Sequence, residues 1–480
     1  MKIEFYDNIE EFIKEIKNRE QIDVIHSIDE KKVIINNQII KYEEKKLGLR
    51  SFSKPYFIES QLLLTYEGKD KIIEEILTKI CKAYTDKEIN AIIDTMPILK
   101  GYSEKREGSF KNVAIIWRDH FLEENIGLLT SFVRMGVEPR NILAIDKGDS
   151  TLHRNEIWAT FEKLGFQVDI LDNTAVAEDE LLEDGRKLVT EFIENRKDKD
   201  IVILDDGAII SKIITKHSFN NIKAFIELTV TGLKRIKNLN VKELPYPVLN
   251  VAKSKLKRII TYKEIASTIF VRNVELMGGE KLIGRTVIQL GYGDLGKTLA
   301  EKYRQYGSSL VVIEPDTLKR IEAAENGFIT YKTLEDAMQY EKPVLIVGAS
   351  GYNSISKKVV EKLENGTFIT SGASADLSIF KEYEKNGCKY IEIPKYGTQY
   401  EINKKHITVL GNGRSVNLFD SEAIPNRSND IFKASQLVVA DKVINDNKYL
   451  TNTVDVETVD NWIDESKILE LYYDLYFKRG

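Results

Sequence analysis

The sequence predicts an α/β protein: a Rossmann-type doubly wound domain, a second α/β domain, and a small α+β N-terminal extension. Three observations carry that class. From about Thr85 onward, short apolar runs alternate with helical stretches, the pattern of parallel sheets. Residues 282–316, LIGRTVIQLGYGDLGKTLAEKYRQYGSSLVVIEPD, set a strand, a glycine-rich turn, a helix, a second strand and an acid in that order. The 480 residues, 42% hydrophobic and 30% charged, leave room for two or three domains and a large core.

Residues 1–80 form the extension. Asp7 is placed to cap a helix with Ile9, Phe12, Ile13 and Ile16 on one face. Residues 32–41 read as a hairpin about Asn36-Asn37, and 57–66 as an apolar strand. Nothing here points to chemistry; a packing or interaction role is expected.

Residues 81–260 read as a substrate-type domain, with 421–445 packing back on it. A helix over 86–95 precedes a buried strand at 112–117. A helix over 123–135 follows, then strands at 142–145, 167–171 and 201–204. Parallel sheets bind ligands beyond the carboxyl ends of their strands. His120 and Asp205-Asp206-Gly207 stand at such ends.

Residues 261–420 read as the dinucleotide-binding domain, with strands at 286–290, 309–313, 343–349, 367–370 and 389–393 and a hairpin about Asn403-Lys404-Lys405. Gly291, Gly293 and Gly296 stand in G-x-G-x-x-G spacing, with Asp294 and Leu295 opening the helix between them. The first glycine allows a tight turn, the second lets a pyrophosphate approach backbone, and the third lets helix pack on strand. The phosphate then meets the free N–H groups of a helix start. Glu314, at the end of the next strand, suits ribose hydroxyls and repels a 2′-phosphate, so NAD is expected over NADP. Lys319 and Arg320 just beyond it pull weakly the other way. Residues 446–480 read as a terminal helix.

The net charge of −5 implies neither a polyanion nor a membrane surface as partner. No apolar run has the length of a membrane span, and a cytoplasmic protein is expected. Cys81 and Cys388 are too few and too far apart for a disulfide framework or a zinc site. His26, His153, His217 and His406 lack metal-ligand spacing, and no metal is expected. No H-E-x-x-H, Walker loop or G-x-S-x-G occurs. Basic residues interleave with acids, leaving no nucleic-acid footprint.

Several segments together resemble the S-adenosylhomocysteine hydrolase family, over roughly residues 86–443. The stretch LGYGDLGKTLAEKYRQYG is close to the family's GYGDVGKG motif, and its ribose-binding acid falls on Glu314. Its GRLVNL segment is similar to GRSVNL from Gly413 to Leu418, and its HMT-x-ET helix matches the spacing of HFLEEN from His120. DDGA from Asp205, ELTVTG from Glu227 and AKSKLKR from Ala252 resemble three further segments in the family's order.

That resemblance implies a homo-oligomer with tightly held NAD as catalyst. A ribose 3′-hydroxyl is transiently oxidised, the acidified C4′ proton is removed, the 5′ substituent is eliminated, and water adds. Carried over residue by residue, Lys253 matches the lysine at the 3′-oxygen and Asp206 the pocket carboxylate. His120 matches the acid/base histidine near the 5′ position. Glu124 matches a purine-contacting glutamate, and Asn417, Thr229 and Thr231 match cofactor contacts.

The departures are as specific. Lys257-Arg258 replaces an Asp-Asn pair, Leu228 a glutamate, and Lys319 an asparagine. Two family histidines fall on Ala373, with Ser371 or Ser374 nearby, and on Ile424, with Pro425 retained. The family's lysine-tyrosine tail has no counterpart. A ribose hydroxyl buried without its partner costs about 1–3 kcal/mol, so an altered substrate is expected. If Lys257 and Arg258 face inward, that ligand is anionic; if outward, they are solvated charges. Three classes follow: a hydrolase or lyase of this type, an NAD-binding relative without catalysis, and an ordinary NAD-dependent dehydrogenase.

Overall fold

The computed structural model describes residues 1–20, 22–46, 60–172, 179–214, 219–239, 245–351, 355–373, 377–446, 450–451 and 453–479. It divides into two compact units. The first comprises Met1–Gly148, His153–Ala252 and Pro425–Gly480; the second comprises Asp149–Leu152 and Lys253–Ile424.

In the first unit, residues 1–66 build a five-stranded antiparallel sheet ordered Lys2–Phe5, Ser60–Tyr66, Gln38–Lys46, Lys32–Ile35, Val24–Ser27. Strands 32–35 and 38–46 turn through Asn36 and Asn37, both at positive φ (46° and 63°), the two-residue geometry that asparagine tolerates. Phe12, Ile16, Ile40, Leu62 and Leu64 close the core beneath it. The cap of helix Ile9–Glu20 is Asn8, not Asp7: Asn8 Oδ1 accepts the Glu11 N–H at 3.0 Å, three residues ahead. The strand expected from 57 is described from Ser60, and 57–59 lie outside the described residues.

The larger sheet of this unit has seven parallel strands, ordered Val454–Asp455, Val248–Asn250, Ile222–Glu227, Asp200–Asp205, Val113–Asp119, Ile142–Asp146, Gln167–Ile170. Every residue of Val113–Asp119 is buried, which explains its uninterrupted apolar run. From this strand the chain first builds toward 142–146 and 167–170. It then crosses to 200–205 on the other side. The reversal opens a crevice at the carboxyl ends of 113–119 and 200–205. Strands 222–227 and 248–250 have no place in the expectation above; they are short, and alternation around them is weak.

Helix Asn426–Asn445 is buried nearly all round yet carries many polar groups, several of them bonded to distant segments. Asp430 accepts the N–H groups of Ile98 and Leu99 at 2.8 and 2.9 Å, anchoring the start of helix Pro97–Glu104. Asp441 accepts from Tyr102 Oη and Arg106 Nε. The single terminal helix expected over 446–480 is instead strand Val454–Asp455 and two helices, Glu457–Glu465 and Ile468–Tyr476. Lys467, at φ 64°, breaks the helical run between them.

The second unit holds an eight-stranded sheet ordered Ile329–Tyr331, Ser309–Ile313, Thr286–Leu290, Leu345–Gly348, Phe368–Ser371, Lys405–Leu410, Gly397–Ile402, Lys389–Ile393. The first six strands run parallel and the last two complete an antiparallel edge. The chain reverses direction beside 286–290, so this sheet has its own switch point at the glycine-rich turn. Among the described residues, no helix is long and apolar enough to cross a membrane.

Candidate active and cofactor sites

In the second unit the glycine-rich turn is fixed by contacts that exclude larger residues. Gly291 lies at φ 97°, and a Cβ there would fall 2.9 Å from Ser350 Cα at the end of the neighbouring strand. A Cβ on Gly296 would fall 2.5 Å from Gly291 O. Gln289, fully buried, donates through Nε2 to Gly291 O (2.9 Å) and Gly296 O (2.8 Å), stapling turn to helix. At Gly293 a Cβ would meet nothing within 4 Å, so this backbone is the open side of the turn. Gly296→Ala drives a methyl into a carbonyl that cannot yield. It is expected to cost the second unit about 1–3 kcal/mol and to lower NAD retained through purification, measured by mass spectrometry beside the wild type.

Glu314 is buried, with each carboxylate oxygen held by a backbone donor: Tyr292 N–H at 2.8 Å and Asp316 N–H at 3.0 Å. These bonds aim the carboxylate and leave lone pairs for ribose hydroxyls. Arg320 turns its guanidinium to Glu314 O (2.7 Å) and Pro315 O (3.2 Å), and Lys319 donates its backbone N–H to the Asp316 cap. Neither contact builds a 2′-phosphate site.

Asp294 and Leu295 open the helix Asp294–Tyr306, and Asp294 Oδ2 meets Arg258 Nε at 3.4 Å. The two neighbouring cations therefore part. Arg258 is half exposed and paired at the glycine-rich helix, whereas Lys257 is buried, its Nζ 5.9 Å from the Tyr262 ring centre. Lys253 closes a short 3-10 turn, Val251–Lys253. Asn417 is buried and accepts from Ser415 Oγ at 2.9 Å. Ala373 shares a tight turn with Ser371, whose Oγ donates to Ala373 O and accepts its N–H. Ile424 is buried, and Ser374 lies outside the described residues.

The first unit gathers an acid/base cluster at its switch point. Lys147, directly after strand 142–146, sends its buried ammonium to Asp206 Oδ1 and lies 3.2 Å from His120 Nε2. Asp119 Oδ1 accepts the His120 N–H at 2.7 Å, and Asp119 Oδ2 accepts from Lys433 at 3.2 Å. Lys433 Nζ also lies 3.9 Å from Glu124, which accepts from Asn429 Nδ2 at 3.0 Å. Burial pushes the Glu124 carboxyl up to about 7 against the pull of Lys433. Asp206, His120 and Glu124 are thus brought into one network. Ligand atoms of Asp119, His120 and Asp206 lie within 4.8 Å of one another, close enough to hold a cation. Two ammonium groups already stand against those carboxylates.

Behind the cluster a buried frame fixes the Asp205-Asp206-Gly207 turn. Arg118, with no exposure, donates to Leu171 O (2.8 and 3.1 Å) and to Asp206 O. Glu227 accepts the Gly207 N–H at 3.2 Å, and Arg235 donates to Gly207 O. Burial, with Asp205 and Asp206 nearby, holds Glu227 well above the usual carboxylate range, while burial also raises Asp205. Glu227 needs the glycine at 232, where a Cβ would fall 2.1 Å from its oxygen. Thr229 caps helix Val230–Lys237: its Oγ1 accepts the Gly232 N–H at 3.0 Å and donates to Glu227 at 2.8 Å. Thr231 lies in the first turn of that helix. Leu228 is buried.

Sequence reasoning missed Lys147, Asp119, Lys433, Asn429 and Arg118. The end-of-strand rule that found His120 applies equally to Asp146-Lys147 and could have found Lys147. Lys433 and Asn429 carry no local signal, since their partners stand some three hundred residues earlier. Of the four other histidines, His26 bonds Tyr42 Oη at 2.8 Å, and His217 lies outside the described residues.

Residues 270–423 match the family described as S-adenosyl-L-homocysteine hydrolase, NAD binding domain. The cofactor of this domain is NAD. The chain is 25% identical over 362 residues to an S-inosyl-L-homocysteine hydrolase of Methanocaldococcus jannaschii, covering 74% of this chain and 84% of that one. It is 24% identical over 373 residues to an adenosylhomocysteinase of Thermococcus kodakarensis, covering 75% and 83%. With the adenosylhomocysteinase of a Nostoc species it shares 26% identity over 254 residues, 51% of this chain and 58% of that one.

Proposed function

Because the chain is a divergent member of the S-adenosylhomocysteine hydrolase family, we propose that it is an NAD-dependent hydrolase or lyase. Its substrate is a nucleoside or sugar thioether or ether other than the family's usual one. The observation that carries this reading is the Asp206–Lys147–His120 cluster, which stands at a switch point in a chain that also carries the NAD cradle. A relative that had shed catalysis would have no need to bury a lysine and an aspartate against a half-buried histidine.

Bound NAD supplies a hydride acceptor that becomes the donor when the hydride is returned. On this reading Lys253 moves the proton at the ribose 3′-oxygen. Asp206, an acceptor held in place by its backbone, orients the ribose and takes the proton released from C4′. His120 transfers the proton at the 5′ substituent. The change of substrate rests on Leu228, Lys257, Arg258, Ala373 and Ile424, where ribose- and base-side polar groups of the family are missing or reversed in charge. The Methanocaldococcus jannaschii relative is named for S-inosyl-L-homocysteine rather than the adenosyl compound, so a 6-oxopurine nucleoside belongs in the first panel tested.

Mass spectrometry of what heat releases from the purified protein is expected to return stoichiometric NAD. Adding S-inosylhomocysteine, S-adenosylhomocysteine and anionic nucleosides in turn is expected to raise reduced-nicotinamide absorbance and release the 5′ substituent with one of them. NAD with no absorbance change for any member would favour an NAD-binding relative without catalysis. Reduced cofactor leaving the protein would favour a dehydrogenase. Failure to retain or bind NAD would remove all three.

A further inference from the structure

We propose that Lys147 is a positioning residue that fixes the tautomer of His120 and couples it to Asp206. The inference deepens the proposed function in one respect only, since its bearing on turnover rests on that reading. The tautomer itself rests on geometry alone.

An ammonium has three donors and no acceptor. Lys147 Nζ is buried, donates to Asp206 Oδ1 and lies 3.2 Å from His120 Nε2. A ring N–H at Nε2 would point one donor at another, so Nε2 accepts and the ring proton resides on Nδ1. His120 is therefore held in one defined tautomer, the arrangement a proton-transfer histidine requires before its substrate arrives.

Asp119 Oδ1 accepts the His120 backbone N–H and Asn125 donates to the His120 carbonyl, so both neighbours hold the main chain, not the ring. Lys147 is itself held in place: strand 142–146 aligns with 113–119, and the Lys147 N–H donates to Asp119 O at 3.3 Å. The one ammonium thus links the carboxylate and the imidazole.

The test is nitrogen NMR of protein labelled at its five histidines, with His120 assigned from the signal lost in His120→Gln. The wild type is expected to show His120 protonated at Nδ1. Lys147→Met removes the donor, and the signal is expected to move toward the Nε2-protonated form or a mixture. Lys147→Arg keeps donors and is expected to keep the wild-type tautomer. With a substrate in hand, Lys147→Met is expected to lower kcat about 10²-fold, the low end for acid–base groups, with KM little changed and partial rescue by Lys147→Arg. An Nε2-protonated His120 in the wild type, or a tautomer unmoved by Lys147→Met, overturns the inference. The wild-type spectrum decides even where Lys147→Met fails to fold. It needs no substrate, so an inactive protein with the expected tautomer would count against the proposed function and not against Lys147.

Discussion

Arg118→Met is expected to destabilise the first unit by about 3–5 kcal/mol, the range for removing one partner of a buried ion pair. Arg118 has no solvent exposure, and its donors satisfy Leu171 O and Asp206 O from inside the sheet. Its Nη1 also lies 3.8 Å from Asp205, itself fully buried. Methionine fills the volume but leaves two carbonyls unbonded and takes one guanidinium away from Asp205. Trp117, Trp158 and Trp462, the three tryptophans of the chain, all belong to the first unit, so their fluorescence in a urea titration reports that unit alone. Asp205→Asn on the Arg118→Met background should recover part of the loss, because it removes the buried charge. A loss below about 1 kcal/mol would mean that water reaches the guanidinium and that the frame is not what fixes the turn.

Asp206→Asn is expected to lower turnover of the substrate found by about 10²–10⁴-fold, the usual contribution of a positioned acid–base group. The change is nearly isosteric. The backbone of Asp206 stays clamped, since its N–H donates to Arg118 O at 2.8 Å and its carbonyl accepts from the Arg118 guanidinium. Tryptophan fluorescence, which reports the first unit, should show whether that unit stays folded, and a folded variant separates lost chemistry from lost structure. Unchanged turnover with a full complement of NAD would take Asp206 out of the reaction.

The glycine-rich turn and the elements that flank it were legible in the sequence to the residue. Strands 286–290 and 309–313 and helix 294–306 fall where periodicity put them, because each is short, local and closed by its own glycine or acid. Gly291 and Gly296 announce themselves, since only glycine tolerates the backbone angle at one and the carbonyl contact at the other. The acid/base site was legible only in part. His120 and Asp206 follow strands, and strand ends can be read from apolar runs.

What the tertiary structure alone decided is company. Strand order is a long-range choice, and it made 113–119 and 200–205 neighbours so that His120 and Asp206 share one lysine. The sequence expects 421–445 to pack back on the first unit but does not say what its polar groups meet; folding buries them and turns Lys433 to Asp119 and Asn429 to Glu124. Local sequence sets which backbone a residue prefers. Which charges must pair is settled when burial removes water from them, and those partners can lie anywhere in the chain.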